Sequence, residues 1–299
     1  MTFGRLITAM VTPFKPDLSI DWAAVDRLVD HLIAHGSEGI VVAGTTGESP
    51  TLSHEEKLAL FERVKARANG RAQVIAGTGT NDTATTIALT KEAEAIGVDG
   101  VMLVVPYYNR PSQRGLFEHF RAVAKETRLP IMLYNIPSRT GQNMTAETVI
   151  ALSEIENIAA VKEASGDLVQ MATIIERTRP DFQVLSGDDK MLLPLLAVGG
   201  DGVVSVAGHI VGDALKELMD AFSSGDHARA AAIHRRYLPL FEELFFTASP
   251  APVKAALAML GVPVGGLRLP LVPLDDQEQA HLKRILVSVL GAEAVERAV

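Results

Sequence analysis

The chain has 299 residues, of which 47% are hydrophobic, 21% charged and only 5% aromatic. This composition supplies enough apolar side chains for a large aliphatic core, and it excludes disordered, collagen-like and low-complexity proteins. The formal net charge of −8 argues against nucleic acids and anionic membranes as partners, because both require a basic surface. Since the chain has no cysteine, disulfides, thiolate metal sites and a cysteine nucleophile are excluded as well.

No targeting or membrane-spanning segment is expected. The N-terminal sequence MTFGRLITAMVTPF is interrupted by Arg5 and Pro13 and has neither a basic start nor a small-residue cleavage site. It therefore predicts a strand and not a signal peptide. Elsewhere, charges, glycine or proline interrupt every apolar stretch before about 18 residues. We expect a cytoplasmic protein whose partners are small molecules or copies of itself.

Short β-branched apolar runs alternate along the chain with stretches of helical period, as in parallel βα units. In chain order, the predicted strands are LITAMV, GIVVAG, QVIAGTG, GVMLVVPYY, PIMLYNIP, IAAVKEAS, FQVLSGDD and GVVSVAG. The predicted helices begin at Asp21, Ser53, Asp82, Ser112, Thr145, near Asp167, at about Lys190 and at Gly212. Eight such pairs predict an α/β fold, the (β/α)8 TIM barrel. The alternative, an open doubly wound sheet, lacks its GxGxxG fingerprint, because GTGTND has no third glycine.

A helical C-terminal appendage is predicted to follow the barrel. The segment SSGDH near residues 223–227 indicates a break, so we divide the chain into a catalytic barrel, 1–224, and a helical region, 225–299. Helical stretches begin at about Asp226, Pro252 and Asp276, with no further strand. The connecting sequence GVPVGGLRLPLVP is apolar as well as rich in Gly and Pro, which predicts that it packs against the protein.

Reactive side chains cluster where the predicted strands end, which is where active sites of such barrels lie. Lys162 is the most informative of them, because IAAVKEAS otherwise predicts a buried strand and lysine is rarely buried unless paired or functional. Burial favours the neutral amine, a nucleophile that forms Schiff bases with carbonyl compounds. The alternative is a structural ion pair of Lys162 with Glu163 or Asp188.

Several neighbouring side chains suit such chemistry. Tyr134 ends the preceding strand, so its phenol could shuttle a proton beside Lys162; the alternative is a core aromatic residue. Thr45 and Thr46 could extend a hydroxyl relay, and the N–H groups around Thr46 and Gly47 could hold a carboxylate, although TTG is equally compatible with an ordinary turn. Arg139 offers a bidentate fork for a carboxylate, or else it is a solvated loop arginine.

No metal site is predicted. His31 and His35 have the spacing of metal ligands on a helix, but no third ligand is near them in sequence, so a solvated helix face is the better interpretation. Asp188 and Asp189 are adjacent on a strand, where successive side chains alternate faces and seldom converge on one ion.

Five motifs carry a resemblance to a known family. They are GTTGE (44–48), PYYNRPSQ (106–113), YNIPSRTG (134–141), VKEASGD (161–167) and LSGDD (185–189). With these, and with PVKAALAMLG and LRLPLVPL nearer the C-terminus, essentially the whole chain resembles the dihydrodipicolinate synthase family of pyruvate-dependent aldolases, to which N-acetylneuraminate lyase is related. The resemblance implies condensation of pyruvate with L-aspartate 4-semialdehyde, without a cofactor, by a homo-oligomer that is usually a tetramer of two dimers.

The resemblance also assigns roles to individual residues. It implies that Lys162 forms the Schiff base, that Tyr134 is the general acid and base, and that Thr45 and a Tyr108 supplied by a neighbouring subunit complete a proton relay. The residues it implies for substrate binding are Thr46, Gly47, Gly187 and Val204 for pyruvate and Arg139 for the semialdehyde. Two alternatives remain: a sibling aldolase or dehydratase acting on a sugar acid or another 2-keto acid, and a non-catalytic keto-acid sensor. The SRTG sequence argues against the first, and retention of Lys162, Tyr134 and Thr45 argues against the second.

A regulatory site is implied as well, because lysine-inhibited relatives bind L-lysine at the dimer interface. The matching residues here are Ser49, His54, Asn81 and Tyr107, together with Lys57 and Thr85 where sensitive enzymes commonly have a histidine and a glutamate. Lys57 repels a cationic ligand, and Thr85 removes an attractive carboxylate. We expect this to cost about 2–4 kcal/mol, or about 30- to 1000-fold in affinity, so that L-lysine inhibits weakly or not at all.

Overall fold

A computed structural model describes residues 2–296. Eight parallel strands pair in chain order, and the last pairs with the first, so the sheet closes into a barrel. The predicted (β/α)8 fold is therefore confirmed, and the open sheet is excluded. The strands are β1 (Leu6–Ala9), β2 (Gly39–Val42), β3 (Gln73–Gly77), β4 (Gly100–Val104), β5 (Ile131–Asn135), β6 (Ile158–Glu163), β7 (Gln183–Ser186) and β8 (Gly202–Ser205).

Thirteen helices follow or connect the strands within the described residues. They are α1 (Trp22–Ala34), α2 (His54–Ala68), α3 (Thr83–Ile96), α4 (Gln113–Ala124), α5 (Pro137–Thr140), α6 (Ala146–Ser153), α7 (Leu168–Arg177), α8 (Leu192–Ala197), α9 (Gly208–Ser223), α10 (His227–Glu243), α11 (Ala251–Met259), α12 (Asp276–Leu290) and α13 (Ala292–Glu296). Two short 3₁₀ turns, Ser49–Thr51 and Asp189–Met191, precede α2 and α8.

Side-chain caps explain most helix starts. Asp21, Asp82, Ser112 and Asp167 each accept a backbone N–H of the first turn, and Ser53 forms a capping box with Glu56, as S-x-x-E predicts. The helix predicted to begin at Thr145 does so, with Thr145 at the N-cap position, although its side chain makes no capping hydrogen bond. One start differs from the prediction: α9 begins at Gly208 and not at Gly212, with a kink at Val211.

Residues at alternate positions of the strands fill the barrel interior, because successive side chains of a strand point to opposite faces. A separate hydrophobic cluster contains the inward residues Ile7, Val41, Ile75, Met102, Met132, Tyr134, Ala160, Leu185 and Val204. Lys162 lies two positions after Ala160 and therefore shares its face. The larger cluster, which includes Leu28, Phe61 and Phe120, packs between the barrel and its helices.

The C-terminal helices pack against the barrel through the contacts of α9 and α10. The connection between α11 and α12 buries Val264, Leu267 and Leu274, which confirms that it packs against the protein. This connection passes close to the loop that follows β1, where a Cβ on Gly265 would lie 1.8 Å from the Phe14 carbonyl oxygen. The division into domains at residue 224 stays a prediction. None of the helices within residues 2–296 has the length and apolar character needed to span a bilayer.

Candidate active site

Lys162 lies inside the barrel beside Tyr134. The two residues are paired in the register of β5 and β6, and the Lys162 Nζ is 4.1 Å from the centre of the Tyr134 ring. Only 5% of Lys162 is exposed. Burial lowers the pKa of its amine from 10.5 to about 7; the charge of Asp189 opposes this shift, and that of Arg139 adds to it. A large fraction of the amine is therefore neutral near pH 7.

The structural ion pair proposed as an alternative for Lys162 is not formed within the described residues. Glu163, the next residue on β6, faces outward, where its carboxylate accepts hydrogen bonds from the side chains of Asn135 (3.1 Å) and Gln170 (3.0 Å) and from the Ser165 N–H (2.7 Å). Burial raises the pKa of Glu163 despite these donors. Lys162 is thus left without a direct carboxylate partner.

The two aspartates lie beyond β7, which ends at Ser186, and not on the strand as predicted. Their side chains nevertheless diverge. Asp189 is buried and accepts hydrogen bonds from the Ser205 hydroxyl and from the N–H groups of Val206 (3.1 Å) and Ala207 (2.9 Å). Burial raises its pKa, while these donors oppose the rise. Asp188 instead caps the following turn at the Lys190 N–H. Within residues 2–296, no group of three His, Asp or Glu side chains is placed to hold a metal ion.

The solvated helix face predicted for the two histidines holds for His35, which is exposed, and is wrong for His31. His31 is half-buried, and its Nε2 lies 2.9 Å from the carbonyl oxygen of His209 on α9. His35 pairs with Asp213, also on α9, at 2.6 Å. The i, i+4 spacing therefore serves to dock α1 against α9, which explains these residues without an ion.

The Tyr134 phenol is buried, with 3% exposure. Burial raises its pKa to about 12, against the lowering effects of the Arg139 charge and of a hydrogen-bonding contact with Thr45. The phenol therefore stays protonated at neutral pH and is available as a proton donor. Thr45 lies in the turn after β2, which brings its hydroxyl to the same barrel end as β5.

The turn after β2, residues 43–48, supplies fewer anion-binding groups than predicted. The Gly47 N–H is already bonded to the Gly44 carbonyl oxygen at 3.1 Å, so the expectation that it holds a carboxylate is wrong. The Thr46 N–H makes no hydrogen bond in the described part of the chain. Gly47 is needed for space, because a Cβ there would lie 3.0 Å from the Met10 carbonyl oxygen.

Gly187 and Val204 shape the surroundings of the lysine. A Cβ on Gly187 would lie 3.1 Å from the Lys162 Cε and 2.7 Å from the Ala164 Cβ, so the glycine leaves room for the lysine side chain. Val204 is buried in the same hydrophobic cluster as Tyr134. Both predicted positions therefore adjoin the lysine–tyrosine pair.

A cavity of about 260 Å³ opens at this end of the barrel. Tyr134 contributes to its wall and also contacts Lys162, which is not itself a wall residue. Arg139 projects from the one-turn helix α5, where the sequence predicted a loop, and is exposed. The candidate residues that line the cavity are Thr45, Ser49, Lys57, Tyr107, Tyr134 and Arg139.

The two tyrosine side chains of PYYN point to different places, as expected of adjacent residues. Tyr107 lines the cavity and is 39% exposed, whereas Tyr108 is 91% exposed, has a φ of 72° and lies outside the cavity wall. Within a single chain, the structure therefore does not bring Tyr108 to Lys162.

The six predicted regulatory residues are only partly brought together. Ser49, Lys57 and Tyr107 share the cavity wall, and burial lowers the pKa of Lys57. The remaining three lie outside the wall: His54 pairs with Glu92 at 3.0 Å, the Asn81 carbonyl accepts a hydrogen bond from Asn109, and the Thr85 hydroxyl donates to Asp82 at 2.6 Å in the cap of α3.

The sequence analysis missed Lys254 and Arg268, two cations of the C-terminal region that contact Glu48 of the GTTGE motif. The available signal was a charged residue in the otherwise apolar run PVKAALAML, the same signal that identified Lys162.

A lysine of lowered pKa held beside a protonated tyrosine at the C-terminal end of a (β/α)8 barrel is the arrangement expected of aldolase-type enzymes that form Schiff bases. The sequence profile of the dihydrodipicolinate synthetase family matches residues 2–289, and the chain belongs to that family.

Curated relatives and solved structures agree with this membership. The chain is 58% identical over 286 residues to a 4-hydroxy-tetrahydrodipicolinate synthase of Moorella thermoacetica, covering 96% of this chain and 98% of the relative. It is 56% identical to 4-hydroxy-tetrahydrodipicolinate synthase 1 of Halalkalibacterium halodurans, covering 95% and 96%. The crystal structure of a dihydrodipicolinate synthase from Bacillus anthracis matches with a TM-score of 0.95 and 49% identity, over 97% of this chain and 99% of the other. That of the Cyanidioschyzon merolae enzyme with lysine bound gives the same values.

Proposed function

We propose that Lys162 is the Schiff-base nucleophile with which this chain condenses pyruvate and L-aspartate 4-semialdehyde to 4-hydroxy-tetrahydrodipicolinate, in the diaminopimelate route to lysine. The observation that carries the proposal is the buried Lys162 amine, whose pKa of about 7 makes it nucleophilic at neutral pH. The names of the curated relatives support the two substrates.

The reaction begins when the neutral Lys162 amine attacks the C2 carbonyl of pyruvate. The resulting carbinolamine loses its hydroxyl group as water, for which Tyr134 donates the proton, and a protonated imine remains. This iminium withdraws electrons from the methyl group, which loses a proton to the Tyr134 phenolate to give an enamine. The centre of the Tyr134 ring lies 4.1 Å from the Lys162 Nζ. The hydrogen-bonding contact of its phenol with Thr45 provides a path by which protons return to the cavity.

Carbon–carbon bond formation follows at the enamine. Its terminal carbon attacks the aldehyde carbon of the semialdehyde, the aldehyde oxygen takes up a proton, and the iminium is restored. The amine of the semialdehyde then attacks the iminium carbon and displaces Lys162 as a free amine, which closes the six-membered ring. One water molecule is released overall, and no electrons enter or leave, so the residues of the chain suffice for the chemistry.

Substrate binding is assigned to the polar groups at the cavity. The Thr46 N–H is free to take the pyruvate carboxylate, and the exposed Arg139 guanidinium can hold the carboxylate of the semialdehyde in a bidentate pair. Gly187 and Val204 provide room and an apolar wall beside the lysine.

We propose further that the active form, in the cytoplasm, is a tetramer of two dimers in which Tyr108 enters the site of a second copy. The support is the 91% exposure of Tyr108, since an exposed aromatic side chain is typical of an interface anchor.

Trapping with borohydride tests the proposed function. Pyruvate and borohydride together should add one reduced pyruvate to the peptide that contains Lys162. Lys162→Arg should abolish the adduct, because a guanidinium stays protonated. Lys190→Arg, a change at a half-exposed lysine near the same barrel end, is the matched control and should leave the adduct intact. An adduct elsewhere would refute the role of Lys162, and an adduct without product from the semialdehyde would favour a sibling aldolase.

A further inference from the structure

The turn of residues 43–48 is held in an unfavourable backbone conformation. Ala43 and Glu48, one at each end of it, have φ angles of 53° and 57°. This left-handed region disfavours residues that carry a Cβ, so it persists only where the surrounding structure imposes it. The turn contains Thr45 and Thr46, and its exact course therefore determines where their hydroxyl and N–H groups lie.

The C-terminal region holds the Glu48 end of this turn. Glu48 is 1% exposed, and its Oε1 lies 2.6 Å from the Nζ of Lys254 on α11. Its Oε2 accepts a hydrogen bond from the Arg268 backbone N–H at 3.0 Å. Both carboxylate oxygens are thus bound by residues more than 200 positions further along the chain.

Lys254 is itself fixed in place. It is 3% exposed, donates a hydrogen bond to the Gly266 carbonyl oxygen at 2.7 Å, and lies with its Nζ 4.4 Å from the centre of the Phe14 ring. Burial lowers the pKa of Lys254, and the attraction of Glu48 opposes that shift. The contacts leave the ammonium group little freedom to follow a displaced Glu48.

We propose that Glu48 and Lys254 are positioning residues, which act through Thr45 and Thr46 to set the affinity for pyruvate. The inference rests on the proposed function and extends it, because it makes the C-terminal helices part of the pyruvate site without any contact with substrate. The Glu48 N–H donates a hydrogen bond to the Thr45 carbonyl oxygen at 3.1 Å. A displaced Glu48 therefore shifts the Thr45–Thr46 peptide, whose carbonyl it holds.

A buried ion pair is by itself weak evidence for either stability or function, so the test must separate positioning from folding. Glu48→Gln removes the charge and keeps the shape. Glu48→Gln combined with Lys254→Gln also removes the charge that the single change leaves unpaired. Glu243→Gln is the matched control, since this carboxylate pairs with His281 at 2.7 Å between α10 and α12, also in the C-terminal region but away from the turn.

The measurements are the pyruvate concentration that gives half-maximal borohydride trapping, and the KM for the semialdehyde at saturating pyruvate. Glu48→Gln and the double variant should raise the half-saturating pyruvate concentration about tenfold or more, because small misplacements of binding groups cost that much. The semialdehyde KM should change less than about twofold, and Glu243→Gln should match wild type. Equal pyruvate dependence in all four proteins would overturn the positioning role, whereas a wild type that forms no adduct would overturn the proposed function and this inference with it.

A measurement on the wild-type protein keeps the inference testable if the variants fail to fold. Hydrogen exchange is compared between the free enzyme and the enzyme carrying the reduced pyruvate adduct. If the turn and the C-terminal region are coupled, the adduct should slow exchange at the Arg268 amide as well as within the turn. Protection confined to the barrel, with unchanged exchange at Arg268, would overturn the inference.

Discussion

The charge of Asp189 should help to set the pH at which the proposed nucleophile Lys162 becomes neutral. Burial moves the pKa of Lys162 from 10.5 to about 7, and Asp189 opposes that shift. At pH 7 about half of the amine is then neutral, compared with about one in three thousand for a solvent-exposed lysine, so the nucleophile is about a thousandfold more abundant. Asp189 limits this effect, and in the proposed mechanism its charge would stabilise the cationic iminium.

Asp189→Asn removes this charge while conserving the local hydrogen bonds. The amide oxygen can accept from the Val206 and Ala207 N–H groups, and the amide nitrogen can donate to the Ser205 hydroxyl. Loss of a buried opposite charge should lower the pKa of Lys162 by about one unit or more. Because the neutral amine is the reactive form, the midpoint of the pH–rate curve should move to lower pH.

The assay is the initial rate of reduced-adduct formation with subsaturating pyruvate, measured from about pH 5 to about pH 9 around the wild-type pKa. The half-saturating pyruvate concentration at high pH should rise in Asp189→Asn, because the iminium has lost its counter-charge. Asp188→Asn is the matched control: Asp188 caps a turn at Lys190 and should leave the midpoint unchanged. A midpoint in Asp189→Asn that stays in place or moves to higher pH would refute the reasoning.

Three further outcomes are expected. Lys162→Met should abolish trapping but raise the free energy of unfolding. Because the pKa of Lys162 is lower in the folded than in the unfolded state, the gain should be on the order of 5 kcal/mol at and below pH 7 and should vanish towards pH 10.5. Denaturation curves at several pH values measure this gain. Mixing inactive Tyr108→Phe with inactive Lys162→Ala should restore part of the activity, unless Tyr108 works within its own chain. Millimolar L-lysine should inhibit weakly, and Lys57→His with Thr85→Glu should increase sensitivity; potent inhibition of wild type would contradict the charge argument.

Local signals in the sequence were sufficient for the barrel and for the reactive pair. Short apolar, β-branched runs alternate eight times with stretches of helical period, and parallel neighbouring strands end at the same face of the sheet. Tyr134 and Lys162 lie near the ends of consecutive strands, so their proximity follows from the topology. The divergence of Asp188 and Asp189 has another cause, because both lie past the end of β7, at the cap and the start of a 3₁₀ turn.

Properties that depend on exact backbone geometry were not predictable in this way. The sequence TTG is compatible with a free Gly47 N–H, and only the tight turn shows that Gly44 already accepts from it. Likewise, PSRT forms a single helical turn because its last residues bond back to Ile136 and Pro137. These bonds span three or four residues and leave no hydrophobic period to detect.

Contacts between residues far apart in the sequence could not be predicted either. Lys254 is a charged residue in an apolar run, whereas Glu48 belongs to the polar turn GTTGE. The sequence alone does not say that they meet, because no strand or helix period fixes how α11 docks against that turn. The predicted boundary at residue 224 separates the barrel from the helical region, yet the Glu48 carboxylate contacts residues from beyond that boundary. Docking of α11 buries Lys254 beside this carboxylate, and a buried ammonium group without its counter-charge is strongly unfavourable, so the course of the turn and the docking of α11 are coupled.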